Sequence, residues 1–203
     1  MIRTLFIAVI LTARVFGQAM QDGVTLWLYD IRDANPAAQQ PITSMPSLNP
    51  PGQTPNLYAV FSGPDLANID FTGPFTSPYA AGSPPTPDLS EYLYGRIWGN
   101  IKFPEVGTYE FRLTSQDGSK FFINNALVVD NDRPGLNAAT ASLSTLAGSV
   151  PFNLTYWHNT GTARVLLEWK PPGASNFVPI PATALETQQG QTYGTSPGLK
   201  AYY

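Results

Sequence analysis

From Thr108 to Ser115 the chain alternates: Tyr109, Phe111 and Leu113 are apolar, whereas Thr108, Glu110, Arg112 and Thr114 are polar. Successive side chains of a strand point to opposite faces, so this pattern predicts a half-buried antiparallel strand. Asp117-Gly118 is a pair tolerant of positive φ, and Lys120-Phe121-Phe122-Ile123 reads as the returning strand of a hairpin. A second tight turn at Asn124-Asn125 leads into Leu127-Val128-Val129. Residues 150–157 alternate again, and Asn159-Thr160-Gly161 turns the chain. In residues 163–169, Val165, Leu167 and Trp169 then fall on one side. Residues 24–29 and 57–61 are strand-like in composition. No segment longer than about eight residues carries the 3.6-residue period of a helix. The predicted fold class is all-β, an antiparallel β-sandwich or barrel.

Proline changes the picture upstream. Twelve of the 20 prolines fall between residues 34 and 87, among Ser, Thr, Gln and Asn. Proline fixes φ and lacks the ladder donor, so residues 34–90 read as a Pro-rich loop region with one embedded strand. Too few residues precede it to fold alone, and residues 20–187 are read as a single domain. Before it, Met1 to Arg3 gives a basic start, residues 4–13 are apolar, and small residues follow at Gly17 and Ala19. That order predicts a secretory signal over residues 1–19, cut after Gly17 or Ala19, against the alternative of a buried first element. The product is then secreted or held at an extracellular surface, with no membrane span.

Composition narrows the chemistry. Charged residues make up 12%, the net charge is -3, and there is no Cys. Nothing resembles the basic footprint that tracks a phosphate backbone, so nucleic acid is not an expected partner. Absent cysteine removes disulfides, thiolate metal sites and cysteine nucleophiles together.

Several ordered motifs now carry a resemblance. Gly95-Arg96-Ile97-Trp98-Gly99-Asn100-Ile101, Pro104, Gly107-Thr108-Tyr109-Glu110-Phe111 and Ser115-Gln116-Asp117-Gly118-Ser119-Lys120-Phe121-Phe122-Ile123 resemble the first half of the PA-fourteen (PA14) domain pattern. Val128-Val129-Asp130, Leu154-Thr155-Tyr156, Leu166-Leu167-Glu168-Trp169, Pro171-Pro172-Gly173 and Ile180-Pro181 follow in the order of its second half. The resemblance is dense from Glu91 to Leu185, and the Pro-rich stretch looks like an insertion. It implies a β-sandwich or barrel module of secreted enzymes, toxins and adhesins that serves carbohydrate binding or adhesion. It further implies, for adhesin members, calcium held by two consecutive aspartates, with an Asn or Asp from a neighbouring loop. Carried over, those acids fall on Gln116 and Asp117. One carboxylate is an amide here, which removes a charge that calcium favours and weakens calcium as a cofactor.

Asp130-Asn131-Asp132 is the other oxygen-rich group, a set of turn formers that could complete a glycan or calcium site with Asp117. Catalysis has little to work with. His158, the only imidazole, reads as a solvent-edge residue, and no paired carboxylates of a glycosidase are identifiable. Trp157 falls opposite Phe152, Leu154 and Tyr156, either exposed for sugar stacking or buried in a second layer. Asn153-Leu154-Thr155 is the one Asn-x-Ser/Thr sequon and makes Asn153 a glycosylation candidate on the outward phase of its strand. Residues 188–203 form a polar linker and a terminal strand in which Leu199, Tyr202 and Tyr203 are candidates for assembly, within or between subunits. Two functions follow. One is a noncatalytic carbohydrate-binding or adhesion module whose partners are glycans. The other is a structural subunit of an extracellular filament or wall layer, whose partners are copies of itself.

Overall fold

The computed structural model describes residues 19–30, 41–46, 57–62, 69–72 and 91–188. These form β1 (Met20–Asp30), β2 (Leu57–Ser62), β3 (Asp70–Thr72), β4 (Leu93–Phe103), β5 (Gly107–Gln116), β6 (Ser119–Ile123) and β7 (Ala126–Asn131). They continue as β8 (Leu136–Thr145), β9 (Gly148–His158), β10 (Arg164–Lys170), β11 (Val178–Pro179), a 3-10 turn (Ala182–Ala184) and β12 (Leu185–Gln188). The strands build two antiparallel sheets. The larger has the order β2-β1-β12-β4-β9-β6-β7, with β1 also pairing with β4, and the smaller the order β11-β10-β5-β8, with β3 on β10.

The alternating pattern explains the packing between them. On β5, Tyr109, Phe111 and Leu113 are buried, and on β10 so are Val165, Leu167 and Trp169. They meet Ile97, Ile101 and Phe103 of β4, Phe121 of β6 and Phe152 and Leu154 of β9 in one hydrophobic core. Its centre is aromatic: the Phe103 ring lies edge-on to Tyr109 at 4.8 Å, and Phe111 lies 5.2 Å from Phe121. Such ring pairs add about 0.5–1.5 kcal/mol each beyond their burial.

Two expectations change. The turn at Asp117-Gly118 does not close a hairpin. β5 pairs with β10 and β8, whereas β6 pairs with β7 and β9, so the chain changes sheets there. Asp117 takes the expected positive φ of 63°. The carbonyl of Gly118, however, accepts the Trp157 N–H of β9 at 2.8 Å, which draws the chain onto the larger sheet. A hydroxyl and amide network ties the corner: Ser115 Oγ donates to the Asp117 carbonyl at 2.6 Å and lies 2.7 Å from Ser119 Oγ, and Asn131 Nδ2 donates to Ser115 Oγ at 3.0 Å. The second change is β8, a ten-residue strand of mostly small and polar residues around Leu136 and Leu143 that was not expected from the sequence.

Candidate functional site

The loop end nearest the corner gathers most of the residues singled out by sequence. Asp117 is buried, and both its carboxylate oxygens are engaged. Oδ1 accepts the Gly135 N–H at 2.8 Å, while Oδ2 accepts the Asn159 N–H at 2.9 Å and faces His158 Nδ1 at 3.1 Å. Burial opposes its ionisation, but the hydrogen bonds from His158, Asn159 and Gly135 outweigh that cost and hold the carboxyl below the usual aspartate range. His158 is not a solvent-edge residue. It is fully buried, and its Nε2 faces the Gly161 carbonyl at 3.2 Å, so both ring nitrogens lie within hydrogen-bond distance of an oxygen. Sequence spacing cannot reveal this pair, because 41 positions separate the partners.

Trp157 is also fully buried, which removes it as an open stacking platform. Its indole N–H donates to Asp132 Oδ1 at 2.7 Å. Asp132 is further held by Lys120 Nζ at 3.1 Å. Burial again pushes its pKa up, and the bonds from Trp157, Met45 and Lys120 bring it net below the ordinary value. Asn131 is buried within the corner network, and Asp130 is exposed at the end of β7 with Lys120 Nζ 3.5 Å away. Asp117, Asn131, Asp132 and Trp157 are therefore brought close together, yet each is engaged by protein groups. Among the described residues, no group of three or more His, Cys, Asp or Glu side chains is arranged to hold a metal ion. Leu199, Tyr202 and Tyr203, with the signal segment up to residue 18, lie outside the described residues.

A different feature is concave and open. On the outer face of the larger sheet, β1, β4, β9, β12 and the β6–β7 turn enclose a cleft of about 340 Å³. Alternation along β4 sends Arg96, Trp98 and Asn100 outward while Ile97 and Ile101 go into the core. Trp98 stands against Trp27 edge-to-face at 4.5 Å, and the Arg96 guanidinium lies over the Trp98 ring at 5.5 Å. Arg96 Nε donates to Asn153 Oδ1 at 2.8 Å, which leaves the two terminal guanidinium nitrogens beyond that bond. Glu186 enters from β12, positioned by Ser149 Oγ at 2.7 Å and Lys102 Nζ at 3.6 Å. Gly99 is what lets β12 come so near: a Cβ there would lie 2.5 Å from the Glu186 carbonyl oxygen. Sequence alone marks Asn153 only as a glycosylation candidate and does not single out Arg96, Trp98, Asn100 or Glu186, all of which line this cleft. The signal was available in the outward phase of the Arg96-x-Trp98-x-Asn100 positions.

Known proteins share this architecture. The family model described as PA14 domain matches residues 50–182. Among solved structures, the PA14 domain of the MpAFP antifreeze protein aligns with a TM-score of 0.63 at 17% identity, over 88% of this chain and 97% of that one. The PA14 sugar-binding domain from an RTX adhesin aligns at 0.52 and 18% identity, over 81% of this chain and 98% of that one. An anti-sigma factor domain-containing protein from Clostridium clariflavum aligns at 0.58 and 20% identity over 88% of this chain. The alignment spans 50% of that longer protein. At these identities the likeness is one of fold. No curated protein sequence matches the chain.

Proposed function

Because this chain belongs to the PA14 domain family, we propose that it is a noncatalytic saccharide-binding and adhesion module, acting outside the cell and taking its ligand in the Trp98 cleft without calcium. The cleft carries this reading. A pyranose presents one apolar C–H face and a rim of hydroxyls, and the cleft offers an indole beside an acid, a guanidinium and several amides. Arg96 supplies donors, Glu186 supplies acceptors, and Asn100 and Asn125 supply both. A cleft lined by both a positive and a negative group suits the hydroxyls of a neutral sugar, because each hydroxyl can give one hydrogen bond and receive another. The sugar-binding RTX adhesin domain of the same fold supports the ligand class, and the signal-like residues 1–19 support an extracellular setting.

The loop-end acids support independence from calcium, since Asp117 and Asp132 already accept bonds from protein donors. Asn153 lines the cleft, so a glycan on its amide would compete with ligand there. The test therefore uses protein from a host without N-glycosylation. Retention on a glycan array, followed by titration calorimetry, should give binding that Arg96→Ala and Asn100→Ala each weaken tenfold or more, about 1.4 kcal/mol. Their unfolding midpoints should stay near that of the parent. Binding that survives both changes would remove the cleft as the site, and no retained glycan would remove the function.

A further inference from the structure

Residues 41–46 cross the loop end as a strap, and the body of the domain reads their main chain. Asn159 accepts the Ile42 N–H on Oδ1 at 2.7 Å and donates from Nδ2 to the Ile42 carbonyl at 2.9 Å. Three residues on, the Met45 N–H donates to Asp132 Oδ1 at 2.7 Å, beside the bond from the Trp157 indole. All three bonds join backbone of the strap to side chains of the body. Both readers are held in place. Asn159 is fixed through its own N–H on Asp117 and its carbonyl on the Tyr92 N–H at 2.5 Å, and Asp132 is fixed by Trp157 and Lys120. A side-chain amide that pairs with both backbone groups of one residue, next to a second fixed acceptor three residues along, is the donor and acceptor set of a peptide-binding site. Fixing those groups beforehand lowers the cost of binding.

We propose that this loop end is a peptide-reading site whose resident ligand is the strap, and that the strap of a second copy of this chain replaces it when copies are crowded. The proposal is independent of the saccharide reading. Residues 31–40 join the strap to β1 and residues 47–56 join it to β2, ten positions on each side. Ten residues reach at most ~33–36 Å when extended, which sets the furthest site on a neighbouring molecule that a strap could serve. The resident strap keeps its place through effective concentration, which a short tether sets on the order of millimolar. Copies packed on a surface approach that concentration, and reciprocal exchange then closes a two-fold dimer. The contacts read backbone, so the expected partner is a short uncharged segment with the spacing of Ile42 and Met45, which the second copy supplies.

Two variants separate strap from reader. Ile42→Pro with Met45→Pro removes both donating N–H groups, and Asn159→Ala removes the amide. Each variant alone should sediment as a monomer, and an equimolar mixture should form a one-to-one complex in which the free strap of one occupies the open site of the other. A mixture that stays monomeric at ~1 mM, the range of the effective concentration, overturns the proposal. A second measurement leaves the parent fold untouched. A fluorescent peptide of residues 39–48 should bind the parent chain saturably in competition with its own strap, and at least tenfold more weakly to Asn159→Ala. Absence of saturable binding, or equal binding to both chains, likewise overturns the proposal.

Discussion

Asp117 sits at φ 63° between two strands, buried, with its carboxylate shared by three nitrogen groups. Its place at a tight turn was legible in the Asp-Gly pair, because few L-residues tolerate that backbone conformation. Its role was not. Whether a carboxylate faces solvent, a cation or a buried imidazole depends on residues 18 and 41 positions away, and local spacing carries no such information. The geometry has a consequence for acid stability. The folded carboxyl lies below the ordinary aspartate range, so its contribution is present above about pH 4, the ordinary value of the unfolded chain, and is lost as pH falls through the lower folded value. Asp132 is lowered too and acts in the same direction. Urea unfolding followed from pH 6 to pH 2 should show a midpoint that drops below pH 4, and Asp117→Asn should flatten that drop. The same substitution leaves His158 and the Asn159 and Gly135 N–H groups sharing an amide in a buried site, and should cost about 1–3 kcal/mol, the usual range for a buried polar group left unsatisfied. Gly118 offers a second check. An added methyl would overlap the Trp157 indole and lie 2.7 Å from Asp132 Oδ1, so Gly118→Ala should destabilise by about 1–3 kcal/mol and change the Trp157 fluorescence.

At the scale of elements, strands that alternate strongly were legible before any fold was in view. β1, β2, β5, β6, β7, β9 and β10 fall where apolar periodicity or β-rich composition puts them. β8 was not, because its core-facing residues Ala139, Ala141 and Leu143 are mostly small and alternate with Thr and Ser, a weak contrast, and it also pairs along the whole length of β5. Pairing partners are also hidden in a strand's own pattern. The Asp117-Gly118 turn reads as a hairpin, yet the hydrogen bond from Trp157 to Gly118 sends β6 to the other sheet. β12 makes the point most sharply, since four residues insert between β1 and β4 and bring Thr187 Oγ1 to 2.8 Å from Thr25 Oγ1, 162 positions away. That insertion depends on Gly99. Gly99→Ala should push β12 outward, cost about 1–3 kcal/mol, and weaken saccharide binding by displacing Glu186. A thermal melt paired with ligand titration would check both effects. Loss of stability with unchanged affinity would show that Glu186 does not contribute to the cleft.

The whole molecule divides its outer polar chemistry between two places with opposite properties. At the loop end Asp117 is buried and Asp132 half-buried, both are matched to donors of the chain itself, and a backbone strap lies across them. On the face of the larger sheet, Arg96 stands exposed beside a half-buried Trp98, in a concavity large enough for a sugar ring. The family resemblance directs attention to the first place, because its motif residues are close in sequence, whereas the second is assembled from four strands and has no compact signature. Calcium removal distinguishes them. A calcium-bridged ligand at the loop end would require Asp117 to release the Asn159 N–H and His158, leaving buried groups unpaired at about 1–3 kcal/mol each, and Gln116 supplies no compensating charge. A ligand in the Trp98 cleft requires none of this. Glycan retention and the thermal midpoint should therefore be the same in EDTA as in millimolar calcium. If retention instead disappears in EDTA and returns with calcium, the ligand sits at Asp117 and the strap must lift to admit it, a movement that slowed hydrogen exchange at the Met45 N–H before calcium, and its loss after, would reveal directly.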